Sequence, residues 1–325
     1  MTRTVERDGP LGPIYPLWGD YVNDHRTLSP PQSQLDGTAQ TFDWQWQGQC
    51  LTVTYETVGE GEPVLLLPAF STVSNRAELK DLAAGLVPQF QVTALDWPGF
   101  GESDRRPLNY GPALYTQFLQ DFVAAIFETP VAVVAAGHAA GYALNLAAHQ
   151  PTTCSKLVLV APTWRGPLAV MGVPPTVRSG IKELVRTPVL GQFLYGLNTH
   201  PAFLKWMYRR HVFVDEQRLT PDYIQQRHKS TQQPGARYAP AAFVTGGLDP
   251  VPSREAFLQC LESLACPVMA VVAEQAPPAS KAEMEAMVAL PEVQSTRLPG
   301  TLGQAEEYGD TVAETIRPFL ASVAL

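Results

Sequence analysis

The sequence predicts an α/β fold with a mainly parallel sheet, helices on both faces and a helical insertion. Three observations carry this. Short apolar runs at 63–67, 90–95, 131–136, 156–160, 268–272 and 293–298 alternate with stretches of helical spacing. That alternation stops between about 162 and 265, where proline breaks and helical patterns replace it. In the middle, VAVVAAGHAAGYALNLAAH (131–149) reads as a buried strand, a glycine-flanked turn and a helix in immediate succession.

Each element follows from its residues. Residues 1–40 are rich in proline, which excludes a helix, and the reading there is an extended arm with apolar points at Ile14, Tyr15, Leu17 and Trp18. Phe42, Trp44 and Trp46, then Leu51, Val53 and Tyr55, alternate with polar residues around Gly48, the pattern of a hairpin. A helix is expected over 76–86. Leu114, Phe118, Phe122 and Ile126 space another over 112–128, and Ala140, Leu144, Ala147 and Ala148 a third. Helices around 281–287 and 307–320 close the chain. The aromatic stretch 203–214 of the insertion reads mainly as the insertion's own packing, with a pocket lining or a membrane contact as the other uses.

A net charge of −8 and no Lys/Arg run argue against a nucleic-acid binder. Neither a secretory leader nor a membrane span is apparent, so the expected location is cytoplasmic, with peripheral membrane contact through the insertion left open. Cys50, Cys154, Cys260 and Cys266 are scattered and fit no redox or zinc spacing. No His/Cys/Asp/Glu cluster has metal spacing, and Gly99-x-Gly101 lacks the third glycine of a dinucleotide fingerprint. Neither metal nor cofactor is expected.

Four motifs in order then carry a resemblance: the Pro68-Ala69-Phe70 loop, the D-x-x-G-x-G-x-S loop at 96–103, the Gly137-His138-x-x-Gly141 turn, and the Glu306-Glu307…Pro318-Phe319-Leu320 ending. Over roughly 41–320 the chain resembles the α/β-hydrolase superfamily in its capped branch, and more faintly that family's cyanobacterial and plastid members. The resemblance implies an eight-stranded sheet built from 41–161 and 266–325, with 162–265 as a helical cap. It also implies a triad in the order nucleophile, acid, histidine.

All three positions lack their chemistry. The nucleophile slot of the elbow is read as Ala139, the acid slot of Ala273-Glu274-Gln275-Ala276-Pro277 as Ala276, and the histidine slot of the last loop as Leu302. No histidine lies between Lys229 and Leu325, so no register restores the base. A serine deliberately replaced would have left acid and base behind, so triple loss marks a natural chain without triad chemistry. By resemblance, the amides of Phe70, Ser71 and Ala140, beside His138 and Ala139, keep the frame of an oxyanion hole. Ser71, His138, Asp249 and Glu274 are the fallback catalytic candidates. The bland reading of each differs: a loop hydrogen bond for Ser71, packing for His138, and a turn or helix cap for Asp249. Asp96 is read as a residue that ties down its own loop. Three functions follow: a pseudo-hydrolase that binds a small apolar, carbonyl or carboxylate ligand or a protein partner without turnover; an active hydrolase or lyase with displaced residues; and an assembly or scaffold protein.

Overall fold

Alternation of inward and outward side chains starts the sheet. In a computed structural model that describes residues 31–322, strand β1 (Thr38–Trp46) turns back through Gln47 and Gly48 into β2 (Gln49–Val58). Both turn residues have positive φ, as a tight hairpin with right-handed strand twist requires. Next come β3 (Glu62–Leu67), a 3₁₀ turn at Arg76–Leu79, α1 (Lys80–Leu86), β4 (Phe90–Leu95), α2 (Pro112–Ile126), β5 (Val131–Ala136), α3 (Ala139–His149) and β6 (Cys154–Val160). The insertion contains α4 (Pro167–Val170), α5 (Pro175–Arg186), α6 (Leu190–Asn198), α7 (Pro201–His211), α8 (Pro221–Thr231), α9 (Tyr238–Val244) and α10 (Arg254–Glu262), with no strand among them. It is followed by β7 (Val268–Ala273), α11 (Pro278–Val288), β8 (Val293–Leu298), α12 (Gln304–Glu307) and α13 (Gly309–Ala321).

The strands form one eight-stranded sheet in the order β1-β2-β4-β3-β5-β6-β7-β8. β1 pairs with β2, and β2 with β4, antiparallel; every other pairing is parallel. Both faces are covered. Leu65, Leu67, Val133, Ala135 and Leu157 join the core beneath α2, α3 and α10. Val64, Leu66, Val134, Val158 and Val160 join the core beneath α1 and α13. Apolar residues on both faces are why these strands read as unbroken hydrophobic runs.

Three strands fall where their sequence places them: Phe90–Leu95, Val131–Ala136 and Val293–Leu298. The expected helix over 76–86 opens as a 3₁₀ turn, and β6 starts two residues early at Cys154. The end of the expected N-terminal arm is also different. Thr38, Ala39 and Gln40 already pair with Thr57, Glu56 and Tyr55. Residues 1–30, with Ile14, Tyr15, Leu17 and Trp18, lie outside the described residues. Among the described residues no helix is long and apolar enough to cross a membrane.

Candidate active site: the turn between β5 and α3

Sheets of this type place their sites at the carboxyl ends of the strands, and the turn after β5 is built there. The Gly137 amide donates to the Val160 carbonyl (2.9 Å), and the Gly137 carbonyl accepts from Ala140 (3.2 Å) and Thr163 (3.0 Å). Gly137 has φ +51°, whereas His138 is already right-handed helical and Ala139 is the first residue of α3. A Cβ on Gly137 would sit 2.9 Å from the Cβ of Ala69, in the loop after β3. The second glycine has a different reason. A Cβ on Gly141 would lie 2.2 Å from Pro250 of the insertion, so the insertion rests directly on α3. Neighbouring β6 leaves through Ala161, also left-handed at φ 43°.

Ala139 and Ala140 are fully buried in the core under α3. The Ala140 amide is not free, contrary to its expected place in an oxyanion hole, because the tight turn spends it on Gly137. Among the described residues the backbone N–H groups of Phe70 and His138 donate to no protein acceptor. The space above them is filled by rings. Phe70 packs against His138 (centroids 5.9 Å), Trp97 (4.8 Å) and Phe243 of α9 (6.5 Å), and His138 against Phe243 (5.3 Å).

His138 is buried, and desolvation pushes its pKa down to about 4. Its Nε2 lies 3.0 Å from the Leu248 carbonyl, which also accepts from the Tyr142 hydroxyl at 2.7 Å. A carbonyl can only accept, so Nε2 carries the proton. Nδ1 has no partner. The Asp249 carboxylate is 3.7 Å from Nε2. An imidazole that protonates only near pH 4 is neutral at pH 7, so this approach is not an ion pair. Burial raises Asp249 to about 6 although it accepts from the Gly166 amide (2.7 Å) and faces Arg178 and Arg165. Asp249 was expected to cap a helix or turn. Its own amide closes a turn on the Gly246 carbonyl (3.4 Å) and its carboxylate holds the Gly166 amide at the start of α4, both within the insertion, while the cap of α10 is Ser253.

The other named positions divide clearly. Ala276 is buried with Ala161, Val272, Ala273 and Met284, and Leu302 packs against the same cluster. The two positions read as acid and base slots therefore meet in one apolar patch. The Ser71 hydroxyl accepts from the Val73 amide at 3.1 Å, a local loop bond. Glu274 is exposed, and its backbone carbonyl accepts from Lys281. Asp96 accepts from the amides of Arg76 (2.7 Å) and Glu102 (2.8 Å), which ties its loop as expected.

Arg76 itself was missed by the sequence reading. It is fully buried and pairs with Glu56 (3.2 Å), Asp96 and Glu102 (2.7 Å). Glu56 in turn accepts from the amides of Gln34, Leu35 and Gly37, which fastens the start of the described chain to β2. A cavity of about 680 Å³ opens next to this network rather than at the elbow, lined by Arg76, Glu78, Glu102, Tyr223, Arg227 and Glu306. Among the described residues no group of three or more His, Cys, Asp or Glu could hold a metal ion.

A parallel sheet covered on both faces, a glycine-flanked strand–turn–helix at its centre and a helical insertion after β6 define the hydrolase class of α/β proteins. Residues 64–309 match the Alpha/beta hydrolase family, and the chain belongs to it. No curated protein matches the sequence. Solved structures share the fold at low identity. A probable hydrolytic enzyme from Pseudomonas aeruginosa is 16% identical, with 91% of this chain and 100% of that one covered and a TM-score of 0.68. An esterase from Thermogutta terrifontis is 19% identical over 87% and 98% of the two chains, with a TM-score of 0.67. A bromoperoxidase from Bacillus anthracis is 15% identical over 88% and 100%, with a TM-score of 0.67.

Proposed function

We propose that this chain is a non-catalytic member of its family, one that keeps the fold for binding and has lost triad hydrolysis. The observation that carries this reading is the left-handed residue after β5. In a nucleophile elbow the serine occupies the strained position between strand and helix. Here that position holds Gly137, two residues before Ala139, which the sequence spacing suggested. In either register the position has no hydroxyl. Support also comes from the acid and base positions: Ala276 and Leu302 lie in an apolar cluster, where an imidazole–carboxylate pair would have no polar company. The helical insertion acts as a cap in this reading, and Phe70, His138 and Phe243 close the space beneath it. The ligand is then a small apolar or carbonyl-bearing molecule that displaces these rings, or a protein partner on the outer surface.

A second reading has one observation in its favour. His138 and Asp249 stand 3.7 Å apart, and on a fold shared with an esterase they make a displaced base and orienter. One experiment separates the two readings: incubation with a fluorophosphonate probe and a panel of p-nitrophenyl esters. The non-catalytic reading expects neither labelling nor turnover. Stoichiometric labelling, or turnover abolished by Ser71→Ala or by His138→Gln, would establish the second. Ala139→Ser alone is expected to stay inactive, because its hydroxyl would have no base.

A further inference from the structure

Ten large hydrophobic side chains are exposed among the described residues, and all ten lie between Val170 and Val214. A folded surface normally scatters such residues singly. Here they follow helical stripes. Val177 and Leu184 stand at i and i+7 on α5, a helix with no buried residue, with the half-buried Ile181 between them at i+4, and Leu190, Phe193 and Leu197 form a second stripe on α6. The two helices pack on each other, and α6 packs on α7. Val189, at the joint between them, is left-handed and 85% exposed; Phe193 is 62% and Trp206 on α7 52% exposed.

The same stretch reverses the charge of the molecule. Residues 162–214 carry seven Lys/Arg against one acid, Glu183, an excess of six positive charges in a chain of net −8. The remainder therefore carries −14. Several of the cations are spoken for: Arg165 and Arg178 bond backbone carbonyls, Arg186 pairs with Glu183, and Arg209 pairs with Glu216. Lys205 and Arg210 are exposed and enter no ion pair among the described residues.

We propose that the outer face of α5, α6 and α7 docks on an anionic lipid bilayer. Exposed apolar side chains and exposed basic residues carried on one stretch match an interface of acyl chains and negative headgroups. The acidic remainder is repelled by the same surface, so this face is the one that approaches. Docking is peripheral, since none of the described helices can span a membrane. The proposal does not depend on whether the interior has lost its chemistry.

The test uses the full chain and sedimentation with vesicles. Vesicles of phosphatidylcholine with roughly 30 mol % phosphatidylserine should carry the protein down, and pure phosphatidylcholine should carry far less. Raising salt to about 1 M should release it, because screening acts within a Debye length. Phe193→Ser with Leu197→Ser should weaken binding roughly tenfold or more, and so should Lys205→Glu with Arg210→Glu. Both pairs are exposed, so the melting temperature serves as the control for folding. Brominated lipid should quench a tryptophan signal that Trp206→Phe removes. Equal binding to neutral and anionic vesicles, or none to either, would overturn the proposal. Vesicle binding unchanged in both double variants would overturn it too. A dimer in sedimentation velocity that Phe193→Ser/Leu197→Ser dissociates, with no vesicle binding, would assign the face to a second copy instead.

Discussion

The turn after β5 and the outer face of α5 and α6 treat apolar surface in opposite ways. At the turn every large side chain is buried: Phe70, Trp97, His138 and Tyr142 interlock, and only glycine fits at 137 and 141. On α5 no side chain is buried at all. Rings thus pack around the turn, while apolar area is left open on the insertion. The interior has the properties of a core, and the exterior those of an interface.

Four substitutions can break or sharpen that contrast. The largest effect is expected from Arg76→Met, which leaves Asp96 and Glu56 buried without their cation and should cost about 3–5 kcal/mol in urea unfolding. A cost below 1 kcal/mol would mean that the Glu56–Asp96 network is looser than its burial implies. Gly137→Ser comes next. Its left-handed φ and the Cβ of Ala69 at 2.9 Å should together cost about 3 kcal/mol, with no gain of esterase activity. A stable and active Gly137→Ser protein would show that the site is open after all.

The third is a pH effect at His138. In the unfolded chain the imidazole takes a proton near 6.5, and in the folded protein only near 4. The folded state binds fewer protons between those values, so the wild type loses stability as pH falls from 6.5 to 4, by about 3 kcal/mol in all. His138→Gln removes that loss. The stability difference between variant and wild type, followed by thermal melts from pH 7 to 4.5, should shift in the variant's favour. Asp249 acts with the opposite sign: with its pKa at about 6 it stabilises the fold as pH falls, and it does so in both proteins. The smallest effect is on the other side of the contrast. Phe193→Ser should change stability by less than about 0.5 kcal/mol, because the side chain is already in water. A larger loss would mean that the α6 stripe is packed.

Most of the fold could be read in the sequence because strands buried on both faces leave unbroken apolar runs, as at Val131–Ala136. The site was less legible. Glycines at both 137 and 141 allow the left-handed turn at more than one register. What places it at 137 is the pair of bonds to its carbonyl, and one of them comes from Thr163 on another strand's exit. The approach of Asp249 to His138 joins residues far apart in the chain and has no local signature. Arg76 is a single cation after a loop, and its acids come from two distant segments, Glu56 on β2 and Asp96 with Glu102 in the 96–103 loop. Helical patterns were visible across 162–265 as a whole, but whether the apolar stripe of α5 is covered depends on neighbours that spacing does not encode.

The Leu248 carbonyl, held at once by Tyr142 and His138 of the elbow segment, acts as a latch. Swinging the insertion aside as one rigid lid would strand a phenol and an imidazole N–H in a dry interior and pull Pro250 away from Gly141. Any opening that admits a guest and keeps both bonds must leave the 248–250 segment seated.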